Sequence, residues 1–235
     1  MSQPPVVSVY GNSDSGKTEL VVDLIQEFKG DGLKVCTIKH SPSEVSLDEK
    51  GKDTWRHREG GAELVAFSTE VETDFLFPKE LAIGDILEMV DRMVDPDLVI
   101  AEGYKDEDVP KIAVGEIDER ENTLDRFDGN RARLKEAIRR EIEVKAIEEE
   151  LPGLDCGRCG YASCRELAEA IHAGDNALED CEVREGRSVM LEVDGEEIPL
   201  ENFPALMLEE GLKGMLRSLK GVDGEIERID LTIDG

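Results

Sequence analysis

The chain has 235 residues, of which 39% are hydrophobic and 4% aromatic, enough for one domain of moderate size and a smaller companion. Its 56 acidic against 28 basic residues leave a net charge of −28, a surface that repels nucleic acid and anionic membrane alike. No apolar run approaches membrane-spanning length, and Met1 to Pro5 lacks the basic start and apolar core of a signal peptide, so a soluble, cytoplasmic protein is expected.

The chain opens on a β-branched run, Val6 to Tyr10, that leads into Gly11-Asn12-Ser13-Asp14-Ser15-Gly16-Lys17-Thr18 and then Glu19. This is a full match to G-x-x-x-x-G-K-[ST], the phosphate-binding loop. Leu20, Val21, Leu24, Ile25 and Phe28 follow at helical spacing, so strand, loop and helix stand in the order such a loop requires. Gly11 and Gly16 let the backbone converge its N–H groups on one anion, and the helix adds its positive end. Lys17 then reaches the β- and γ-phosphates, and the Thr18 hydroxyl ligands Mg²⁺. The plain alternative, an ordinary Gly/Ser turn, does not need this flanking pattern.

The helix stops near Gly30-Asp31-Gly32, before a strand from Lys34 to Ile38 in which Cys36 reads as a buried structural thiol. Lys39 and His40 come next, then a polar loop to Lys52. Lys52, Arg56, His57 and Arg58 gather basic charge on a helix that Asp53 opens as cap or first-turn acid. This is either a solvated face pairing with Glu59 and Glu63 or, together with Lys39 and His40, a second anion site.

Glu63 to Ser68 reads as a strand, and about Ala82 to Val94 as a helix ending before Asp95-Pro96. Asp97 to Lys105 is an apolar strand closing on Glu102. A carboxylate at that tip lies beside the phosphate loop in such sheets and can hold Mg²⁺ or its waters, a solvent-facing acid being the alternative. Lys17 and Glu102 are thus the expected catalytic pair. Pro110 to Val114 gives one more strand, and a charged helix, about Gly129 to Glu149, leads out. Short apolar runs alternating with helices imply a mostly parallel sheet with flanking helices, an α/β fold of the P-loop NTPase type.

Several separated motifs resemble the molybdopterin-guanine dinucleotide biosynthesis adapter (MobB) family. They are GNSDSGKT, TIKH (Thr37 to His40), DTWRHREGGAELV (Asp53 to Val65), DLVIAEGYK (Asp97 to Lys105) and PKI (Pro110 to Ile112). The resemblance implies a GTP-binding, weakly GTP-hydrolysing homodimer that assists the enzyme joining a guanylyl group to molybdopterin, and through it the cofactor-acceptor enzyme. Guanine preference comes from the resemblance alone, since no [NT]-K-x-D motif is present. Asp14 and Glu19 depart from the family pattern by adding negative charge near the phosphates, and Ser41-Pro42 follows His40 where a histidine-bearing run is usual. Lys39, Arg56 and Arg58 are candidates for stabilising transition-state charge, and Asp53 for positioning Mg²⁺ or water.

Four of the five cysteines lie between positions 156 and 181, which in a cytosolic chain points to metal rather than disulfides. Cys156, Cys159, Cys164 and Cys181 follow a C-x2-C-x4-C-x16-C spacing. Three thiolates on one tight loop and a fourth returning beyond the helix Glu166 to Ala173 can enclose a cuboidal iron–sulfur cluster. Gly157 and Gly160 would let the loop wrap closely around it. A closed tetrahedral zinc site is the alternative, although zinc ribbons usually show two tight pairs. The unit also resembles the 4Fe–4S domain of some electron-transfer proteins, with its LPGxxCGxCGxxxC opening. His172, on the intervening helix, reads as a packing or surface residue.

Beyond the cysteines, strands at Val189 to Val193, Glu197 to Leu200 and Ile226 to Ile233 surround a helix from about Phe203 to Leu219. The expected domains are 1–148 (nucleotide-binding), 149–186 (a small four-cysteine iron–sulfur module) and 187–235 (a small α+β tail). Three functions fit: a GTP-binding adapter carrying a redox or docking 4Fe–4S module, a nucleotide-driven iron–sulfur electron-transfer ATPase or GTPase, and a small-molecule kinase. The charge itself suggests adaptation to a salty cytoplasm, where screening offsets self-repulsion. The expected outcome is a melting temperature that rises from low to molar salt; a fall contradicts it.

Overall fold

The computed structural model describes residues 3–43 and 45–183, the segments 191–193, 196–198 and 202–217, and Ile229 and Leu231. It divides into two compact units, Met1–Ile142 and Glu143–Gly235. The first is built on a five-stranded sheet in the order β2-β5-β1-β6-β7, every neighbouring pair parallel. Its strands are β1 (Val6–Gly11), β2 (Val35–Lys39), β5 (Leu98–Glu102), β6 (Lys111–Val114) and β7 (Thr123–Phe127).

The central strands are covered on both faces, which explains their near-continuous apolar sequence. On one face Val7, Val9, Leu98, Ile100 and Ile112 meet Leu20, Leu24 and Phe28 of α1 (Lys17–Gly30) and Leu134 and Ile138 of α4 (Arg131–Glu150). On the other face Ile38, Val99 and Ala101 meet Leu87 of α3 (Ile83–Val94). The alternation along Leu98-Val99-Ile100-Ala101 is the period-2 pleat of a strand packed on both sides. Asp31, just past α1, joins Lys135 (2.7 Å) and Arg139 (2.6 Å) of α4. The hydrogen bonds from Lys135 and then Arg139 hold its carboxyl below the usual carboxylate range.

In the first unit three details depart from the sequence reading. The run expected as a strand from Glu63 is β3 (Val65–Ser68), and it leaves the main sheet to form an antiparallel hairpin with β4 (Thr73–Leu76). β7 pairs with β6 after a connection too short for a helix. Cys36 is half-buried rather than buried, because β2 is an edge strand; partial burial still pushes its thiol upward.

The second unit contains the end of α4, α5 (Cys164–Ala173) and a 3₁₀ turn at Leu178–Asp180 around a small core of Val144, Leu151, Leu167 and Ala168. Ser163 caps α5, its Oγ accepting from the Glu166 amide at 3.1 Å while the Glu166 carboxylate accepts from the Ala162 amide at 2.8 Å. That cap starts the helix at Cys164, two residues earlier than expected, so the third cysteine stands on the helix instead of the loop before it. Further on, β8 (Leu191–Val193) pairs antiparallel with β9 (Glu196–Ile198), and α6 (Asn202–Arg217) follows. The strand expected at Ile226 to Ile233 falls outside the described residues, Ile229 and Leu231 apart. Among the described residues no helix is long and apolar enough to cross a membrane.

Candidate functional site

The loop from Asn12 to Gly16 leaves the C-terminal end of β1 and enters α1 at Lys17. Asp14 (φ 56°) and Gly16 (φ 86°) take left-handed backbone conformations, which turn successive N–H groups to one side. Gly11 is required by space: a Cβ there would stand 2.4 Å from the Val114 carbonyl oxygen and 2.8 Å from Ser15 Oγ. Ser15 Oγ is buried and has no hydrogen-bond partner, a polar atom left for something the loop encloses. The Lys17 ammonium donates to the Asn12 carbonyl across the loop.

The parallel register places Glu102 of β5 opposite Val9 of β1 and Lys39 of β2. Glu102 therefore stands at the strand tip beside the loop, its side chain only 12% exposed. It accepts from Thr18 Oγ1 at 3.1 and 3.2 Å and pairs with Lys39 Nζ at 3.1 Å. Thr18 and Glu102 are thus together, as a shared Mg²⁺ requires, and Lys39 joins them. One carboxylate and one hydroxyl suit Mg²⁺, which completes its octahedron with waters and phosphate oxygens.

His40 continues the same edge, its amide donating to the Glu102 carbonyl at 2.9 Å and its ring lying 4.9 Å from that of Tyr104. Its Nε2 is 3.6 Å from Glu80. Burial, then Glu107 and Glu80, push the Tyr104 hydroxyl above its ordinary value. Gly103 turns at φ 106° where a Cβ would meet the His40 carbonyl at 3.0 Å.

The basic helix α2 (Asp53–Glu59) is differently employed. Arg58 reaches Asp48 at 3.3 Å and Ser46 at 3.1 Å, and Thr54 also bonds Asp48 at 2.7 Å, which clamps the preceding loop. Arg56 pairs with Asp53 at 3.5 Å and Lys52 with Glu49 at 3.7 Å. The partners expected from sequence, Glu59 and Glu63, are not the ones used. Arg56 and Arg58 thus each have a carboxylate partner in α2 or the loop before it, with Arg58 Nε buried and without a hydrogen-bond partner, while Lys39 is the basic residue that reaches the Thr18–Glu102 pair.

In the second unit Cys156, Cys159, Cys164 and Cys181 all line one small cavity, with Arg158, Tyr161 and Leu167. Cys164 and Cys181 are buried, Cys159 half-buried and Cys156 exposed. Asp155, at φ 45°, accepts from the Cys164 amide at 2.6 Å and fixes the start of the loop against the helix. Gly157 (φ 71°) and Gly160 (φ 90°) make the turns around the second thiol. Among the described residues no group of three or more His, Cys, Asp or Glu is closed around a single-ion position. Four soft sulfur donors around a shared cavity have the chemistry of an iron–sulfur ligand set and equally that of a closed four-cysteine zinc site. His172 is half-buried and pairs with Glu143 at 2.8 Å.

Two family models match separate parts of the chain. "Molybdopterin guanine dinucleotide synthesis protein B" (MobB) covers residues 6–129, and "Putative Fe-S cluster" covers residues 151–183. A protein of Methanocaldococcus jannaschii described as "Putative molybdopterin-guanine dinucleotide biosynthesis adapter protein" is 32% identical over 93% of this chain and 93% of its own length. The adapter from Haemophilus influenzae is 35% identical over 47% of this chain and 63% of its own length. A component of the ion-translocating oxidoreductase complex of Cereibacter sphaeroides is 50% identical over 20% of this chain and 25% of its own. With the MobB model spanning more than half of the residues and a relative alike over nearly the whole length, the chain belongs to the MobB family.

Proposed function

We propose that the chain is a GTP-binding adapter in the biosynthesis of molybdopterin guanine dinucleotide, with weak GTP hydrolysis and a 4Fe–4S module that docks on, or exchanges electrons with, the acceptor enzyme. The observation that carries the reading is the meeting of the Thr18 hydroxyl and the Glu102 carboxylate beside a loop whose backbone already turns toward an anion. In this reading the amides from Ser13 to Thr18 and the Lys17 ammonium hold the polyphosphate, with Asn12, Asp14 and Glu19 at its border. Mg²⁺, held by Thr18 and Glu102, would supply charge neutralisation on the terminal phosphates.

Lys39, already 3.1 Å from Glu102, lies where it can pair with a terminal phosphate oxygen once Glu102 turns to the metal. Glu102 is the carboxylate that meets Thr18, and a group holding metal is a poor general base. That accounts for slow hydrolysis. The partners are the guanylyltransferase and its acceptor enzyme, with molybdopterin within reach of the assembly, in the cytoplasm. A homodimer is part of this reading; Phe67 and Phe75 are exposed on opposite faces of the β3–β4 hairpin, and a second copy would cover one of those faces.

Glu102→Gln tests the reading. It keeps the Thr18 contact but removes the charge, so GTP binding becomes insensitive to Mg²⁺ and loses about tenfold affinity in its presence. Unchanged magnesium dependence in that variant sinks the assignment.

A further inference from the structure

The connection from β6 to β7, residues 115–122, runs between parallel strands without a helix and is tied down from two sides. Asn12, at the start of the phosphate loop, donates from Nδ2 to the Glu116 carbonyl at 3.0 Å. Arg126 of β7 grips the same connection, donating to the Gly115 carbonyl at 2.6 Å and the Ile117 carbonyl at 2.7 Å. Gly115 presses on the phosphate loop itself, where an added Cβ would meet Ser15 Cβ at 3.3 Å. Between them lies an open hollow of about 700 Å³ lined by Asn12, Gly115, Glu116, Ile117, Asp118 and Arg126.

The position of this hollow gives it a direction. Thr18, Glu102 and Lys39 collect on the β5 side of β1, and the hollow is on the β6 side. A triphosphate whose metal-bound end lies at Thr18 and Glu102 must send its sugar and base the other way, across Asn12. The strands run out to either side of β1, the place where ligands sit in open parallel sheets. Its walls suit a purine: Ile117 is half-buried and apolar, and the Arg126 guanidinium, pinned on both arms, is a fixed plane of the kind on which bases stack. Asp118 is exposed and has no hydrogen-bond or ion-pair partner among the described residues.

We propose that this hollow seats the nucleotide base and that Asp118 selects guanine, its carboxylate accepting from the ring N1–H and the 2-amino group. The proposal rests on the phosphate-loop reading above and adds the base to it. Adenine offers an acceptor nitrogen and a C–H at the same edge, so it leaves an acceptor-only carboxylate without a partner. The sequence carries no [NT]-K-x-D segment, and Asp118 supplies the same chemistry from a different place.

The experiment is equilibrium binding of GTP, ITP, XTP and ATP, each with Mg²⁺, to the full chain and to Asp118→Asn and Glu116→Gln. The wild type binds GTP about tenfold or more tighter than ITP, which lacks the 2-amino group, and tighter than ATP by at least as much. Asp118→Asn loses about tenfold for GTP and gains for XTP, whose 2-oxo group accepts from the carboxamide, with ATP unchanged as proof of an intact fold. Glu116→Gln keeps the wild-type order. A change that is equal for all four nucleotides, or one found in Glu116→Gln instead, overturns the role of Asp118. Equal wild-type affinity for GTP and ATP overturns it too while leaving the phosphate site standing, and failure to bind any of the four removes both.

Discussion

Lys17→Ala weakens GTP binding about 100-fold, with the fold intact. The ammonium lies over the loop, held by the Asn12 carbonyl, and its stem emerges from the first residue of α1. Removing it deletes a charge-assisted bond to phosphate that no other residue of the loop supplies, since Lys17 is the single cation in Gly11 to Thr18. The surroundings magnify the loss: in a chain of net charge −28, with Asp14 and Glu19 flanking the loop, each local cation offsets a field that opposes nucleotides. Alanine is a good helix former at that position, so circular dichroism and melting temperature stay as they were. Calorimetric titration measures the affinity; a loss under about threefold contradicts the assignment.

Cys164→Ser has the second large effect. Cys164 is buried at the start of α5, in one cavity with Cys156, Cys159 and Cys181, and its amide is tied to Asp155. A serine hydroxyl is a poor ligand for iron and costs about 1–3 kcal/mol when buried without a partner. Anaerobically prepared variant protein therefore loses iron, sulfide and visible absorption together, and the second unit unfolds at lower temperature. GTP binding by the first unit persists. Wild-type protein with stoichiometric zinc and no iron contradicts the cluster outright. Cys36→Ser serves as the control and keeps full iron content.

Much of this was legible in the sequence because it depends on short-range pattern. The β-branched run, the glycine loop and the helical repeat Leu20-Val21-Leu24-Phe28 give β1, the phosphate loop and α1 without tertiary information. Glu102 is legible as an acid closing an apolar run, since the central strand β5 is buried on both faces. The edges are less so. β7, Thr-Leu-Asp-Arg-Phe, spends two positions on charges that bond Arg133 and the β6–β7 connection, so its apolar signal is broken. β4 is four mostly exposed residues stabilised by a hairpin partner, with little burial to mark it.

The contacts that finish the site were hidden for a different reason. The Lys39–Glu102 pair depends on β2 lying beside β5, a strand order that no local pattern specifies. The grip of Arg126 on Gly115 and Ile117 is made to carbonyl oxygens, which leave no trace in residue identity. Arg58 reads from sequence as a candidate anion ligand because it is basic in an acidic chain, and its bonds to Asp48 and Ser46, which hold a loop, depend on how that loop folds back.

A titration of the wild-type chain with GTP, with Mg²⁺ and again with the metal chelated, reaches the heart of the matter most directly. Saturable one-to-one binding that weakens when the metal is withdrawn is the predicted result. Heats no larger than dilution in both series would contradict it.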